Sequence, residues 1–359
     1  MKWEDLISLE YGKPVKDKYR VDGKVPVFGT NGQIGTSNLP AQCKIPSVII
    51  GRKGAYRGVH FSNVPFSVID TAFYMMPKTD ELDLKWAYYK FLTYDINRMD
   101  SGSAIPSTDR YEIYNIPVDL PSLKVQKKEV SILDAIDNKI QENERINKNL
   151  LEQAQALYKD RYIDLSPFYG KIPDGWHIGT VSEIIELHDS KRIPLSSRER
   201  EKLDKIYPYY GATSVMDYVD RYLFDGIYLL LGEDGTVIDD KGFPILQYVE
   251  GKFWVNNHAH IITGKCGFTV ELLYLLFSLT NVKFIVTGAV QPKISQANLN
   301  KVPVLIPDII ELKSFDSVIQ PFFAQIRNLR AENNRLATLR DALLPRLMSG
   351  EIDVSGIDL

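Results

Sequence analysis

Two long segments of the chain, residues 122–163 and 308–348, place their predicted inward-facing positions at alternating steps of three and four residues. This spacing is typical of the seam of a coiled coil. No proline or glycine interrupts the first segment, so it predicts one continuous helix. The predicted seam of this helix consists of Leu133, Ile136, Ile140, Asn143, Asn147, Leu150, Ala154 and Leu157.

The second segment repeats the first at a constant offset of 186 residues. The same offset relates Pro106 to Pro292 and Pro117 to Pro303, so the shared pattern begins before the helices. We therefore predict two modules of one fold, each a globular part followed by a long helix. The second predicted seam consists of Ile319, Phe322, Ile326, Leu329, Asn333, Leu336, Arg340 and Leu343.

Three asparagines, Asn143, Asn147 and Asn333, occupy seam positions where leucine would be more stabilising. A polar residue in a seam usually fixes register or pairing. The alternative is that these positions are open to water or to a partner chain.

Each globular part combines short β-branched runs with a shorter helix, which predicts the α+β class. In the first module SVIIG and VHF bracket a glycine-bounded turn. Residues 81–99 form an amphipathic pattern whose one face consists of Leu84, Tyr88, Phe91, Leu92 and Ile96. Pro345 should kink or end the second long helix, and Gly350 should stop it. The predicted boundaries are 1–121 for the first module, 122–165 for its helix, 166–307 for a linker and the second module, 308–350 for the second helix and 351–359 for a tail.

The composition is that of a soluble globular protein of two or more domains, with 359 residues, 44% hydrophobic and 25% charged. A net charge of −3 gives no case for nucleic acid from the whole chain, so any such case must be local. Cys43 and Cys266 lack the partners of a disulfide framework or a metal cluster. No signal peptide or membrane span is recognisable, and a cytoplasmic location is expected.

A local basic excess does occur between Tyr11 and His60, where nine lysines and arginines face two aspartates, an excess of seven. The run Gly51–Gly58 concentrates three of these cations and a tyrosine in one turn, which suits phosphate contacts. A solvated basic face is the alternative. Candidate DNA-binding residues in this module are Lys13, Lys16, Lys18, Lys24, Asn31, Arg52, Lys53, Tyr56, Arg57, Ser103, Ser107 and Thr108.

The second module carries fewer cations, and its counterpart of the basic turn is acidic, Gly232-Glu233-Asp234-Gly235. An acidic side chain could accept a hydrogen bond from a cytosine amino group, or could serve only as a turn residue. Candidate DNA-binding residues here are Lys191, Arg192, Thr213, Ser214, Glu233, Gln291 and Lys293.

Enzyme motifs are missing from the sequence: it has no P-loop, no GxGxxG after a strand, no HExxH and no nucleophile elbow. His258 and His260 share one face of a predicted strand, but no third ligand lies nearby in sequence, so structural roles are favoured and no metal site is predicted.

The paired modules and helices, with GRKGAYRGVHFS, VIDTAFY and the C-terminal LRDALLPRLMSGEID, resemble the specificity subunit of type I restriction-modification systems. The resemblance covers essentially the whole chain. It implies that each module is a target recognition domain reading one half of a split double-stranded DNA sequence. It also implies that the two helices pack antiparallel as a coiled-coil spacer, giving the chain a pseudo-twofold repeat.

The same resemblance implies that the chain is not catalytic and holds no cofactor. It would recruit two modification subunits, which use S-adenosylmethionine to methylate adenine, and through them ATP-dependent restriction subunits. Two other interpretations remain at this point. One is a scaffold whose two modules bind protein partners instead of DNA, and the other is a hydrolase built around Asp234, Asp239 and His258.

Overall fold

A computed structural model describes residues 1–14, 23–99, 106–288 and 290–357. The chain divides into two compact units, Met1–Glu142 with Glu332–Leu359, and Asn143–Ala331. Over these described ranges, none of the helices combines the length and the apolar character needed to span a bilayer.

The first unit contains a four-stranded antiparallel sheet, ordered β1-β7-β4-β5, and a three-stranded sheet, ordered β3-β2-β6. Strand β4 reads SVIIG and is buried at all five residues, as expected for a β-branched strand covered on both faces. The strands are β1 (Ile7–Tyr11), β2 (Val25–Gly29), β3 (Gly32–Ser37), β4 (Ser47–Gly51), β5 (Val59–Ser62), β6 (Ser67–Val68) and β7 (Ala72–Pro77).

The described residues of this unit also form the short helices α1 (Trp3–Leu6), α2 (Leu84–Leu92) and α3 (Arg110–Tyr114). The predicted 81–99 helix is shorter than expected, because the Asp83 side chain caps its start by accepting from the amides of Lys85 and Trp86. The buried face of α2 also differs from the prediction, since Trp86, Ala87, Tyr89 and Phe91 are inside and Leu92 is exposed.

The second unit contains a six-stranded sheet, ordered β11-β10-β13-β12-β14-β9, and a two-stranded sheet of β15 and β8. Its longest pairing joins β12 to β13 from Phe224–Phe253 to Leu231–Leu246. The strands are β8 (His177–Thr180), β9 (Ile185–Leu187), β10 (Tyr207–Tyr210), β11 (Val215–Val219), β12 (Phe224–Gly232), β13 (Leu246–Val255), β14 (Ala259–Gly264) and β15 (Pro303–Ile306). The short helices are α5 (Val181–Ile184), α6 (Ser197–Arg200), α7 (Val270–Ser278) and α8 (Gln296–Leu299).

The two predicted long helices are α4 (Leu123–Tyr158), which ends in a π-helical turn, Lys159–Ile163, and α9 (Ile309–Met348). Helix α4 begins two residues after Pro121. Each helix contributes one part to each unit. Mixed helix and sheet with two long helices confirms the predicted α+β class.

In the first unit the two helices run in opposite directions. The Asn333 side-chain amide donates to the Ile140 carbonyl at 3.3 Å, and Arg340 forms an ion pair with Asp137 at 3.1 Å. Further along α9, Leu347 joins the core that holds Leu133. The two helix parts of this unit are therefore antiparallel.

The second unit shows the same antiparallel order in its own helix parts. Arg161 pairs with Glu311, and the ring of Tyr158 lies 6.0 Å from that of Phe315. Both Ala154 and Ile319 are fully buried in one core. The contacts between the two helix parts of this unit thus combine an ion pair with aromatic and aliphatic packing.

The structure corrects the predicted seam at two positions of this unit. Leu157 is 40% exposed and Tyr158 takes its place inside, while Phe323 is fully buried and Phe322 only partly so. A straight α-helix drifts against a strict seven-residue repeat, so the inward face moves by one residue along its length. Ile136, Asn143, Ile326 and Leu329 are buried as well, and Ile140, Asn147, Leu150, Leu336 and Leu343 are half-buried.

Pro345 does not end α9, so of the two predicted effects of this proline, a kink or an end, the second is wrong. The helix continues to Met348, and Gly350 follows with a φ of +76°. The Gly350 amide donates to the Leu347 carbonyl, a bond that closes the helix end.

Candidate nucleic-acid interface

A glycine turn after the central strand of the first unit is bonded to a segment about fifty residues later in the chain. We name this arrangement the first clamp, and it consists of Arg52, Lys53, Gly54, Pro106, Ser107 and Thr108. The Gly54 amide donates to the Pro106 carbonyl at 3.0 Å, and the Thr108 amide donates to the Arg52 carbonyl at 2.8 Å. Between these two bonds Lys53 and Ser107 form an antiparallel β-bridge.

The second unit has the same two backbone hydrogen bonds and the same β-bridge. The second clamp consists of Glu233, Asp234, Gly235, Pro292, Lys293 and Ile294. The Gly235 amide donates to the Pro292 carbonyl at 3.0 Å, and the Ile294 amide donates to the Glu233 carbonyl at 3.0 Å. Asp234 and Lys293 form the matching bridge. The two units thus share a backbone framework at a place where their side chains differ in charge.

Arginines and an exposed tyrosine surround the first clamp. The Arg52 guanidinium lies 4.9 Å from the Tyr11 ring centre, and that of Arg110 lies 5.2 Å from the same ring. Such cation–π contacts orient guanidinium groups without neutralising their charge. Tyr56 on the turn is 68% exposed. This surface offers cations and aromatic faces together, which suits phosphate and base contacts.

Two predicted DNA-binding residues of this unit are buried and cannot reach a ligand. Arg57 is only 2% exposed, and its guanidinium donates to the Asn97 carbonyl at 2.7 Å. Thr108 is also buried, inside the first clamp. Both positions hold the turn in shape. Lys13, Lys24 and Asn31 are exposed, whereas Lys16, Lys18 and Ser103 lie outside the described residues.

A buried network of charged groups lies beneath the second clamp. Arg192 donates to Glu233 at 2.6 Å and to the Ala259 carbonyl at 2.8 Å, and Lys293 approaches Glu233 at 3.4 Å. The predicted DNA contacts of Arg192 and Glu233 are therefore corrected, since both side chains are largely buried and bonded to each other. Lys191, Thr213, Ser214 and Gln291 are exposed, and Lys293 is half-exposed.

Asp189 is the centre of this network. Its carboxylate accepts from His260 Nδ1 at 2.6 Å, from the Ile261 amide at 2.9 Å and from the Gln296 side chain. Burial alone would raise the pKa of Asp189, but the hydrogen bonds from His260, Ile261 and Gln296 together hold that pKa below its usual range. Asp189 is consequently ionised in the folded protein at neutral pH.

The carboxylates of Asp189 and Glu233 and the ring of His260 lie close enough together to hold a metal ion. The other His260 nitrogen, Nε2, lies 2.8 Å from the Ile294 carbonyl, so both ring nitrogens face acceptors. Arg192 already neutralises the carboxylates at 2.6 and 3.4 Å. The geometry favours an ion network of protein groups over a metal centre.

The two units place different chemistry at matching positions. Tyr11 lies opposite Phe73 in the first sheet, where Asp189 and His260 are bonded in the second. Arg52 and Arg110, which flank Tyr11, correspond to Glu233 and Gln296. A cation–π cluster in one unit is thus an ion network in the other, on the same backbone.

The hydrolase interpretation receives no geometric support from its three residues. His258 Nδ1 lies 3.6 Å from Asp234, but the Asp239 carboxylate accepts the amides of Lys241 and Phe243 and so stabilises a turn.

Comparison with known proteins shows which family this chain belongs to. A family model described as the type I restriction modification DNA specificity domain matches residues 1–152 and 173–338. The chain belongs to this family of DNA specificity domains. The two matched ranges agree with the internal repeat of two modules.

Individual relatives are specificity subunits. The chain is 24% identical over 349 residues to the type I restriction enzyme MjaIX specificity subunit of Methanocaldococcus jannaschii, covering 89% of this chain and 78% of that protein. It is 34% identical over 131 residues to a putative type I restriction enzyme specificity subunit of Haemophilus influenzae, covering 36% of this chain and 32% of that protein, so this match spans about a third of that relative.

The fold is also that of a solved family member. The S subunit of a type I restriction-modification system from M. genitalium superposes with a TM-score of 0.61 at 16% identity, covering 97% of this chain and 95% of that one. Together with the family match, this confirms the predicted fold of two recognition modules with long helices, and the predicted family.

Sequence reasoning missed several residues that lie next to the two clamps. Arg110, Tyr11 and Asp189 were not among the predicted site residues, and His260 was assigned only a structural role. The signal that could have identified Arg110 is its position, because it lies two residues after the predicted site residue Thr108 and 186 residues before Gln296 in the internal repeat.

Proposed function

We propose that the chain is a non-catalytic specificity subunit that reads a split duplex DNA target, with one half of the target read by each unit. The observation that carries this proposal is the pair of clamps, which keep one backbone and carry unlike side chains. A shared framework suits a shared ligand, DNA, and different side chains suit different half-site sequences. Family membership supports the same conclusion.

We further propose that two modification subunits assemble on this chain, with restriction subunits bound through them. S-adenosylmethionine and ATP would then be held by those partners and not by this chain. The two long helices suit a spacer, since α4 has 36 residues and α9 has 40, about 54 and 60 Å at 1.5 Å per residue. Such lengths match roughly one and a half turns of duplex DNA.

The double substitution Arg52→Ala with Lys53→Ala should weaken DNA binding and leave the fold nearly unchanged. Each cation removed from the interface lowers the steepness of log affinity against log salt by up to about one, so we expect a slope reduced by up to about two. A binding titration of duplex DNA at several salt concentrations measures this slope, and thermal unfolding measures stability.

Lys124→Ala with Lys127→Ala is the matched control, because it removes two exposed cations of the same unit from helix α4. An equal loss of slope in this control would show a general charge effect instead of a localised interface. An absence of salt dependence in the unmodified chain would favour the protein scaffold.

Removing seven residues from each long helix, at the level of Ile140 and Asn333, should shorten the gap between the two half-sites by about three base pairs. Seven helical residues span about 10 Å, and a base pair rises about 3.4 Å. Mapping methylated adenines in cells that carry the shortened chain with its partner genes measures the gap. An unchanged gap would contradict the spacer role.

A further inference from the structure

We propose that Lys53 with Ser107 in the first unit, and Asp234 with Lys293 in the second, are the side chains that read base edges, one pair for each half-site. This inference rests on the proposed DNA-reading function and adds which residues read and which kind of base edge each pair suits.

The bridge geometry gives each unit a two-point reader. Residues directly opposite each other in an antiparallel bridge project their side chains to the same side, with Cβ atoms about 5 Å apart. Lys53 and Ser107 form such a bridge, and so do Asp234 and Lys293. Two adjacent groups on one side can contact two atoms of a single base edge, which is how side chains distinguish base pairs.

The residue at the tip of each clamp is a glycine, Gly54 or Gly235, which has no side chain to obstruct the approach of DNA. Gly54 has a φ of +124° and Gly235 a φ of +89°, a left-handed backbone that favours glycine. A Cβ atom on Gly235 would meet nothing within 4 Å, and on Gly54 its nearest contact would be at 3.6 Å. Backbone conformation, and not crowding, is therefore what requires glycine, and the bare tip lets a duplex approach the bridge closely.

Residues beneath the bridges are already engaged within the protein. Arg52 stacks on Tyr11 and donates to the Asp70 carbonyl at 3.1 Å. Its counterpart Glu233 is bonded to Arg192 at 2.6 Å and is largely buried. Arg52 and Glu233 thus support the two clamps from within their units. Of the bridge residues, Lys293 also lies 3.4 Å from Glu233, and Asp234 lies 3.6 Å from His258.

The two bridge pairs suit different base edges. In the first unit, the Lys53 ammonium can only donate and the Ser107 hydroxyl can donate or accept, a set that suits the two acceptors of guanine, N7 and O6. In the second, Asp234 accepts and Lys293 donates, which suits an edge with an amino group beside an acceptor, as adenine presents with N6 and N7. The half-sites are therefore expected to differ at the base pair each clamp contacts.

Exchanging the two charges tests the assignment. Lys53→Asp and Asp234→Lys are made in the full-length chain, co-expressed with its modification subunits, and each complex selects from a library of randomised duplexes. Lys53→Asp should lower discrimination at one base pair of one half-site by about tenfold or more and leave the other half-site unchanged. Asp234→Lys should do the same in the other half-site.

Control variants accompany this test, and its contrary outcomes distinguish an error in the residue assignment from an error in the proposed function. Lys44→Asp in the first unit and Lys265→Asp in the second are the controls, because each changes the charge by two at an exposed position. Both should alter the affinity for DNA without altering either selected sequence. Lys53→Ala replaces Lys53→Asp if the latter fails to fold. If the unmodified complex selects a split sequence and both exchanges leave it intact, the assignment of these pairs is wrong. If the unmodified complex selects no split sequence, the proposed function itself is wrong.

Discussion

Replacing Ile319 by aspartate is expected to destabilise the second unit by about 4 kcal/mol or more. Ile319 is fully buried in the core that holds Ala154, Phe315 and Phe323, where α9 packs on α4 and on the globular part. The substitution removes apolar packing worth about 2–5 kcal/mol and leaves a carboxylate without water or a cation. Such a change is among the few that exceed the usual range of point-mutation effects.

Val318→Asp is the matched control, because Val318 is the adjacent residue of the same helix, is also β-branched and is 49% exposed. Its effect should stay within about 0.5 kcal/mol. Hydrogen exchange measured by mass spectrometry reports the two units separately, and protection should be lost in the second unit of the Ile319→Asp protein. Equal protection in both variants would mean that the helix faces are wrongly assigned.

Periodicity was sufficient to predict the long helices, since it depends only on local spacing. Helices α4 and α9 are found where the three-and-four pattern predicts them. The same pattern failed at Leu157 and Phe322, because a straight helix drifts against the strict repeat and the residue facing the globular core is then the next one along the chain. A strict repeat cannot include that tertiary contact.

The site was harder to predict, because a charged residue looks the same in sequence whether it faces solvent or a buried partner. Arg57, Arg192 and Glu233 were predicted to contact DNA, and each is instead held inside its unit. Their partners, Asn97 and Asp189 among them, are revealed only by folding. Matching the backbone hydrogen bonds of the two repeats identifies the corresponding bridge residues, which no property of a single residue does.

Asp189→Ala should destabilise the second unit by about 3–5 kcal/mol at neutral pH, because it removes the acceptor of several buried donors. His260 Nδ1, the Ile261 amide and the Gln296 side chain all donate to this carboxylate, and Arg192 lies 3.4 Å away. Removing one partner of a buried charged network leaves the others unpaired, which costs more than an exposed ion pair contributes. Asp240→Ala, an exposed aspartate of the same unit, is the control and should be nearly neutral.

The destabilisation should also depend on pH in a defined direction. The pKa of Asp189 is lower in the folded chain than in the unfolded one, so its stabilising contribution is complete above about pH 4 and is lost as pH falls through the folded value. The difference in unfolding free energy between the unmodified chain and Asp189→Ala should therefore shrink between pH 7 and pH 3, as measured by urea unfolding at each pH. A difference that stayed constant over this range would show that the carboxylate contributes by packing alone, and that the charge network beneath the second clamp does not stabilise the unit.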